Sequence, residues 1–245
     1  MRGKALLVLH QRESYPGRVG CLLMERGYAL DVRCPNLGHA LPAKLDEYAL
    51  CGLFGGVMSA NDCHMPGIRA ELDWLPRVLD ADKPFIGICL GAQMLSRTLG
   101  GHVCPHPEAM VEVGYSLIEP TEAGRDLFPG PMHVYQWHRE GFSVPPGAEL
   151  LARGSVFPNQ AFRWGDRAYG VQFHPEVTLA MKHAWTGGAS KMLREPGAQP
   201  PEAHIAGHDR HDPPLDRWTN NFIDRLLALA GDDDCAARCS LAEAA

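Results

Sequence analysis

The chain lacks any long apolar run. The stretch after Lys4, Ala5 to Leu9, is too short for a signal-peptide core and far too short to cross a bilayer. It lacks an excess of basic charge: 23 Lys and Arg stand against 29 Asp and Glu, a formal net charge of −6. That excludes nucleic-acid binding as the main task, though not a local patch. It lacks C-x-x-C pairs. The eight cysteines are scattered, and Cys235-x-x-x-Cys239 has no second ligand pair, so no metal site is expected there. These absences together predict a reduced, cytoplasmic protein. No G-x-G-x-x-G follows a strand, and Gly187-Gly188 to Lys191 does not have the P-loop spacing, so no nucleotide site and no cofactor are expected. No internal repeat is present. What remains is ordinary for a folded chain: 245 residues, 45% hydrophobic and 21% charged, enough for one large domain or two small ones.

The pattern along the first hundred residues alternates strand and helix. Strands are expected over Ala5–His10, Ala29–Cys34, Tyr48–Phe54 and Pro84–Ile88, and helices over Arg18–Arg26, Ile68–Leu79 and Ala92–Leu99. This predicts an α/β fold with a doubly wound, mostly parallel central sheet flanked by helices. Its site belongs at the carboxyl ends of the strands. After Gly100-Gly101 the pattern turns to hairpin material, with strands over Val111–Ile118, Met132–Trp137, Ala148–Ala152, Gln160–Trp164 and Ala168–Phe173. These predict an antiparallel β extension of the same sheet. A helix is expected over Glu176–Trp185, an irregular excursion over Thr186–Pro214 and an amphipathic helix over Leu215–Leu229. The expected organisation is one domain over residues 1–230, with a tail from 231 to 245.

Two constellations carry chemistry. Gly87-Ile88-Cys89-Leu90-Gly91 lies between a buried strand and a helix, the G-x-nucleophile-x-G elbow with Cys in place of Ser. A side chain at such a corner stands clear of the sheet, and the following helix directs its positive end at the sulfur. On its own the elbow fits a nucleophile and a buried structural cysteine equally. Tyr169 to Glu176 (YGVQFHPE) places His174 at a strand end, with Pro175 barring a helix through it. Residues two apart in extended chain point the same way, so Glu176 can orient the imidazole that serves the cysteine. Taken alone, His-Pro-Glu is more readily a turn with an acidic residue opening a helix.

Together with Gly55-Gly56 after the third strand, these motifs resemble the class I (triad) glutamine amidotransferases, in that family's order and spacing, over roughly residues 5 to 180. The likeness is greatest to stand-alone members similar to the amidotransferase domain of GMP synthase. It is supported by Glu112-Val113-Gly114-Tyr115, Gln136-Trp137-His138 and Pro158 to Phe162 (PNQAF). The resemblance implies a flavodoxin-like fold, Cys89 as nucleophile, His174 as base and acid, and Glu176 as its orienter. It further implies backbone N–H groups of Gly56 and Leu90 as the oxyanion hole. Gln93 would hold substrate, and Val113, Gly114 and Tyr115 would lie at its amino-acid end. Val57 departs from the Pro that many members carry after the glycine pair.

The implied activity is hydrolysis of a γ-glutamyl amide through a thioester, releasing glutamate and ammonia or an amine. Alternatives are a γ-glutamyl peptide hydrolase and an idle regulatory or assembly module. The implied partners are a small-molecule substrate and a separate synthetase subunit receiving ammonia, with no nucleic acid and no membrane. Two further clusters are read as non-catalytic. His204, His208, His211 and Asp212 are taken as an exposed His-rich loop, since Gly207 and nearby prolines argue against a rigid helix. Gln136-Trp137-His138 is taken as pocket wall.

Overall fold

Along the first strand, Ala5, Leu7 and Leu9 join one apolar cluster while Leu6 and Val8 join another. Alternate side chains leave a strand on opposite faces, so this strand is buried on both. The computed structural model of the chain describes residues 2–188 and 190–231. Its elements in order are β1 (Gly3–Val8), α1 (Gly17–Glu25), β2 (Tyr28–Arg33), β3 (Tyr48–Leu53), α2 (Pro66–Asp80), β4 (Phe85–Ile88) and α3 (Leu90–Thr98). Then come β5 (Val103–Pro105), β6 (Glu112–Pro120), β7 (Met132–His138), β8 (Glu140–Phe142), β9 (Ala148–Gly154), β10 (Ala161–Trp164) and β11 (Ala168–Val171). The chain finishes with α4 (Leu179–Gly187), α5 (Pro201–Ala206) and α6 (His208–Leu229).

Nine strands form one sheet in the order β2-β1-β3-β4-β11-β10-β9-β6-β7. The first five pair in parallel and the last four continue antiparallel. The doubly wound sheet with its antiparallel extension is therefore present. The parallel half is covered by α1 and α6 on one face, through Val19, Leu23, Trp218 and Phe222, and by α2 and α3 on the other, through Ile68, Leu75, Met94 and Leu95. The small β5–β8 pair is an addition that the sequence pattern did not suggest.

The excursion from Thr186 to Pro214 is largely ordered into helix, which corrects the expected irregular loop. Lys191–Arg194 make a 3₁₀ turn, α5 follows, and α6 begins at His208 rather than Leu215. Pro213 and Pro214 sit inside α6 and remove two backbone donors. Tertiary anchoring outweighs that loss. Asp212, on the buried side of α6, pairs with both Arg18 and Lys182. Lys182 is fully buried, with its ammonium 5.2 and 5.3 Å from the ring centres of Tyr115 and Tyr135. Burial pushes its pKa down, and the Asp212 carboxylate works against that shift. The expected start of α4 at Glu176 is also corrected. Thr178 occupies the N-cap position and the helix runs from Leu179, leaving Glu176 outside it. Cys235, Cys239 and the expected tail lie outside the described residues, apart from Gly231.

A buried ion pair that loses one partner leaves an uncompensated charge. Asp212→Ala is expected to lower stability by about 3–5 kcal/mol in urea unfolding. Adding Lys182→Met should recover part of the loss by removing the stranded ammonium. A single variant as stable as the parent would remove the anchor role from Asp212.

Candidate active site

Cys89, the Gly55-Gly56 loop and His174 each follow the carboxyl end of a parallel strand, where an open α/β sheet presents its loops. β4 runs into Cys89, and α3 begins one residue later. Cys89 adopts φ +51°, a left-handed value rare outside glycine, and serves as the N-cap residue of α3. The turn is possible because the residues two before and two after it, Gly87 and Gly91, carry no side chains. A Cβ on Gly91 would lie 1.9 Å from the Leu53 carbonyl oxygen, and one on Gly87 would lie 2.6 Å from the Gly91 backbone. The corner thus packs backbone against backbone, and the thiol is carried out beyond the sheet.

β11 pairs in parallel with β4 and continues to His174, whose N–H donates to the Tyr135 carbonyl at 2.8 Å. Pro175 then turns the chain so that Glu176 returns to the ring. Its Oε1 is 2.7 Å from His174 Nδ1, with both side chains about 5% exposed or less. On the other side of the ring, Nε2 has no formed hydrogen bond, and Cys89 acts on the imidazole through its charge. Such contacts are commonly loose before substrate binds. Burial lowers the imidazole pKa, but the Glu176 and Cys89 charges outweigh it and push His174 up to about 10. The ring is also wedged in place. A Cβ on Gly55 would lie 2.6 Å from His174 Cε1 and 3.5 Å from Cys89 Cβ, so only glycine lets this loop approach. Trp185 stands edge-on to the imidazole at 5.1 Å between ring centres, and Trp137 stands edge-on to Trp185 at 5.4 Å.

The N–H groups of Gly56 and Leu90 have no hydrogen-bond partner among the described residues. Leu90 is the first residue of α3, where an amide has no acceptor within the helix. Gly56 lies over the same corner, since its Cβ would meet Leu90 Cδ2 at 3.0 Å. Gln93 is on the next turn of α3, and its side chain donates to the Glu140 carbonyl at 2.8 Å. Cys89, Gln93 and Gly56 share one cavity of about 300 Å³, whose other wall holds Trp137, His138, Arg139, Glu140 and Lys191. The expected wall role of Trp137 and His138 agrees with this placement. A second cavity of about 520 Å³ adjoins it, lined by His174, Glu176, Gly55, Gly56 and Trp137 among others.

Three expected site residues are not brought to these cavities. Val113, Gly114 and Tyr115 pair with β7 on one side, but β9 pairs with β6 only from Ile118 onward. Gln199 fills the vacant edge instead. Its backbone N–H donates to the Val113 carbonyl, and its side chain both receives from Tyr115 N–H and donates to the Tyr115 carbonyl. These three residues therefore have a structural contact with Gln199, and the linings of the two cavities do not include them. The histidines of the former excursion are likewise not an exposed loop. His204 is buried between the Tyr135 hydroxyl at 2.8 Å and the Gln199 carbonyl at 3.1 Å, and His211 lies against His133 at 4.1 Å. Among the described residues no three His, Cys, Asp or Glu stand together as a metal set.

Sequence reasoning missed the pair that holds the glycine loop. His10 Nδ1 is 3.1 Å from the Gly55 carbonyl and its Nε2 is 2.7 Å from Glu71 Oε2, all buried. A carbonyl only accepts, so Nδ1 carries a proton. The short contact at Nε2 needs a further proton, from the imidazole or from the Glu71 carboxyl. The available signal was a carboxylate on the buried face of α2, between Ile68 and Leu75. It missed Arg18 as well. The Arg18 amide donates to the Glu176 carbonyl and its guanidinium to the Pro175 carbonyl, while the same guanidinium pairs with Asp212 and Asp216. It missed Arg139, Glu140 and Lys191, although Arg139-Glu140 directly follow Trp137-His138.

A family model described as "Glutamine amidotransferase class-I" matches residues 21–185. The glutamine amidotransferase-like protein YfeJ of Salmonella typhimurium is 34% identical over 164 residues, covering 63% of this chain and 68% of that protein. The GMP synthase [glutamine-hydrolyzing] of Aeropyrum pernix is 39% identical over 144 residues, 58% of this chain and 26% of the synthase. The match thus spans about a quarter of that synthase's length. A crystal structure of a glutamine amidotransferase from Thermotoga maritima superimposes with a TM-score of 0.83 at 27% identity, over 93% of this chain and 99% of that one.

The His10–Glu71 pair fixes the carbonyl of the residue before Gly56, so its loss should displace the Gly56 N–H and not the sulfur. Glu71→Gln is expected to lower by about tenfold the kcat of any turnover that draws on the Gly56 N–H, the scale of weakening one such donor. Alkylation of Cys89 by iodoacetamide should continue at the parent rate. Equal losses in both assays would place Glu71 in the folding of the whole corner instead.

Proposed function

The chain belongs to the class-I glutamine amidotransferase family, and on that premise we propose that it hydrolyses the side-chain amide of a γ-glutamyl compound through a Cys89 thioester. The observation that carries the reading is the His174–Glu176 contact at 2.7 Å, with the opposite ring nitrogen unpaired and the elbow cysteine a charged neighbour of the same imidazole. Beside a His174 that already holds the proton, Cys89 Sγ attacks the amide carbonyl carbon as the thiolate. The carbonyl oxygen becomes negative and is held by the N–H groups of Gly56 and Leu90. His174 then protonates the departing nitrogen, the C–N bond breaks, and an amine or ammonia leaves. Water attacks the thioester with His174 as base, the sulfur is expelled, and glutamate is released. Glu176 keeps the imidazole in one orientation and stabilises its charged form.

In the smaller cavity Arg139 and Lys191 are suited to the α-carboxylate of the glutamyl group, and Glu140 to its α-ammonium. A second reading keeps the chemistry but passes ammonia to a separate synthetase. It is favoured by the likeness to a GMP synthase of which the match spans about a quarter. The intact Cys89, His174 and Glu176 set argues against an idle module.

Cys89→Ala should abolish glutamate release and leave the unfolding midpoint near that of the parent. Turnover comparable to the parent would remove Cys89 from the nucleophile role. The raised His174 pKa gives a further test. Protonated His174 is the acid for the leaving group, so kcat should hold through neutral pH and fall as pH rises through about 10. Iodoacetamide labelling of Cys89 needs no acid and should not fall there. Because the Glu176 charge raises that pKa, Glu176→Gln should move the alkaline limb down by about one to two pH units. An alkaline limb unmoved by that change would separate Glu176 from His174. The stability gained from the raised pKa follows the same sign: it is complete below the ordinary histidine value and is lost as pH rises through about 10.

A further inference from the structure

The scissile bond divides a γ-glutamyl amide into an acyl half and a leaving half, and the two cavities divide the same way. The smaller one contains the nucleophile, Gln93 and the charged groups Arg139, Glu140 and Lys191. The larger one contains His174 and Glu176 but not Cys89. The nitrogen that departs must take its proton from His174, so whatever that nitrogen carries lies on the His174 side. Ammonia would leave this space of about 520 Å³ empty.

The walls of the larger cavity state what would fill it. Tyr15, Val57, Trp137, Met181 and Trp185 line it, and no Lys or Arg does among the described residues. Tyr15 is 48% exposed and Val57 68% exposed, so two large apolar side chains stand open to water at one mouth. Concentrated apolar surface of this kind around a concave site marks ligand recognition. The acidic residue of the lining, besides Glu176, is Glu13 on the exposed loop after β1. An amino-acid leaving group would bring a carboxylate into a space with no lysine or arginine to receive it and with Glu13 to repel it. A neutral ring meets aromatic walls and loses no solvation of charge.

Resting on the γ-glutamyl reading above, we propose that the larger cavity is a leaving-group subsite for apolar, ring-bearing amines, so that the chain prefers γ-glutamyl aralkylamides to glutamine and to γ-glutamyl amino acids. The amide C–N bond breaks, the amine takes the proton held by His174, and water supplies the hydroxyl that completes glutamate. No other reactant is required.

The test compares kcat/KM for γ-glutamyl benzylamide, γ-glutamyl methylamide, γ-glutamyl phenylalanine and glutamine, using the purified full chain. The benzyl and methyl amides share alkylamine chemistry, so their ratio reads the ring alone. The phenylalanine compound adds a carboxylate beside the same ring. Benzylamide should exceed methylamide and glutamine by about tenfold or more, the scale of a filled apolar pocket, and should exceed the phenylalanine compound by a similar factor. Tyr15→Ala, at an exposed position, should reduce the benzyl-to-methyl ratio by about threefold or more. Equal rates for the two amides, or a preference for glutamine or for the phenylalanine compound, overturns the subsite while leaving the γ-glutamyl reading standing. Labelling of Cys89 by 6-diazo-5-oxo-norleucine without turnover of any of the four amides also overturns the subsite. Failure to label together with failure to turn over is the separate outcome that overturns the γ-glutamyl reading itself.

Discussion

The close backbone crossing at the elbow is the constraint on which the site depends. Gly91 lies against the Leu53 carbonyl, and Gly87 against Gly91, with no room for a side chain at either. That contact lets β4 turn directly into α3 and forces Cys89 into its left-handed conformation. It also fixes where the glycine loop after β3 must lie, since the same β3 end carries Phe54, Gly55 and Gly56. One packing event therefore places the sulfur, the amide of Leu90 and the amide of Gly56 in a common frame. Stored backbone strain of this kind persists only where surrounding structure over-determines it. Here the β4 pairings with β3 and β11 on either side supply that support.

The second half of the site is held from farther away. Glu176 is free to meet His174 because α4 starts after it, and the carbonyls of Pro175 and Glu176 are taken by Arg18. Arg18 is in turn fixed by Asp212 and Asp216 of α6. Apolar contact of α6 with the sheet and ionic contact with the turn thus serve one end: a carboxylate and an imidazole kept in line.

How much of this was readable from sequence follows the range of the interactions. The elbow and the His-Pro-Glu turn are written in contiguous residues, where strand, turn and helix preferences agree, and their positions match the structure. The start of α6 was not readable, because Gly207, Pro213 and Pro214 locally favour a break while Asp212 gains two buried cations from α1 and α4. The edge partner of Val113, Gly114 and Tyr115 was unreadable for the same reason. What occupies their strand edge is Gln199, a residue distant in sequence with no motif of its own. The His10–Glu71 pair spans the distance from β1 to α2, and only a charged residue on an apolar helix face hinted at it.

The dependence of the His174–Glu176 turn on α6 also bears on synthesis. Cys89, His174 and Glu176 all leave the ribosome before Asp212 and Asp216 do, so a nascent chain carries its whole reactive set while the ions that align it are still missing. Competence is acquired only when the closing helix docks. An incomplete chain, or one cut within α6, would keep the elbow cysteine without the ions that hold the His174–Glu176 turn.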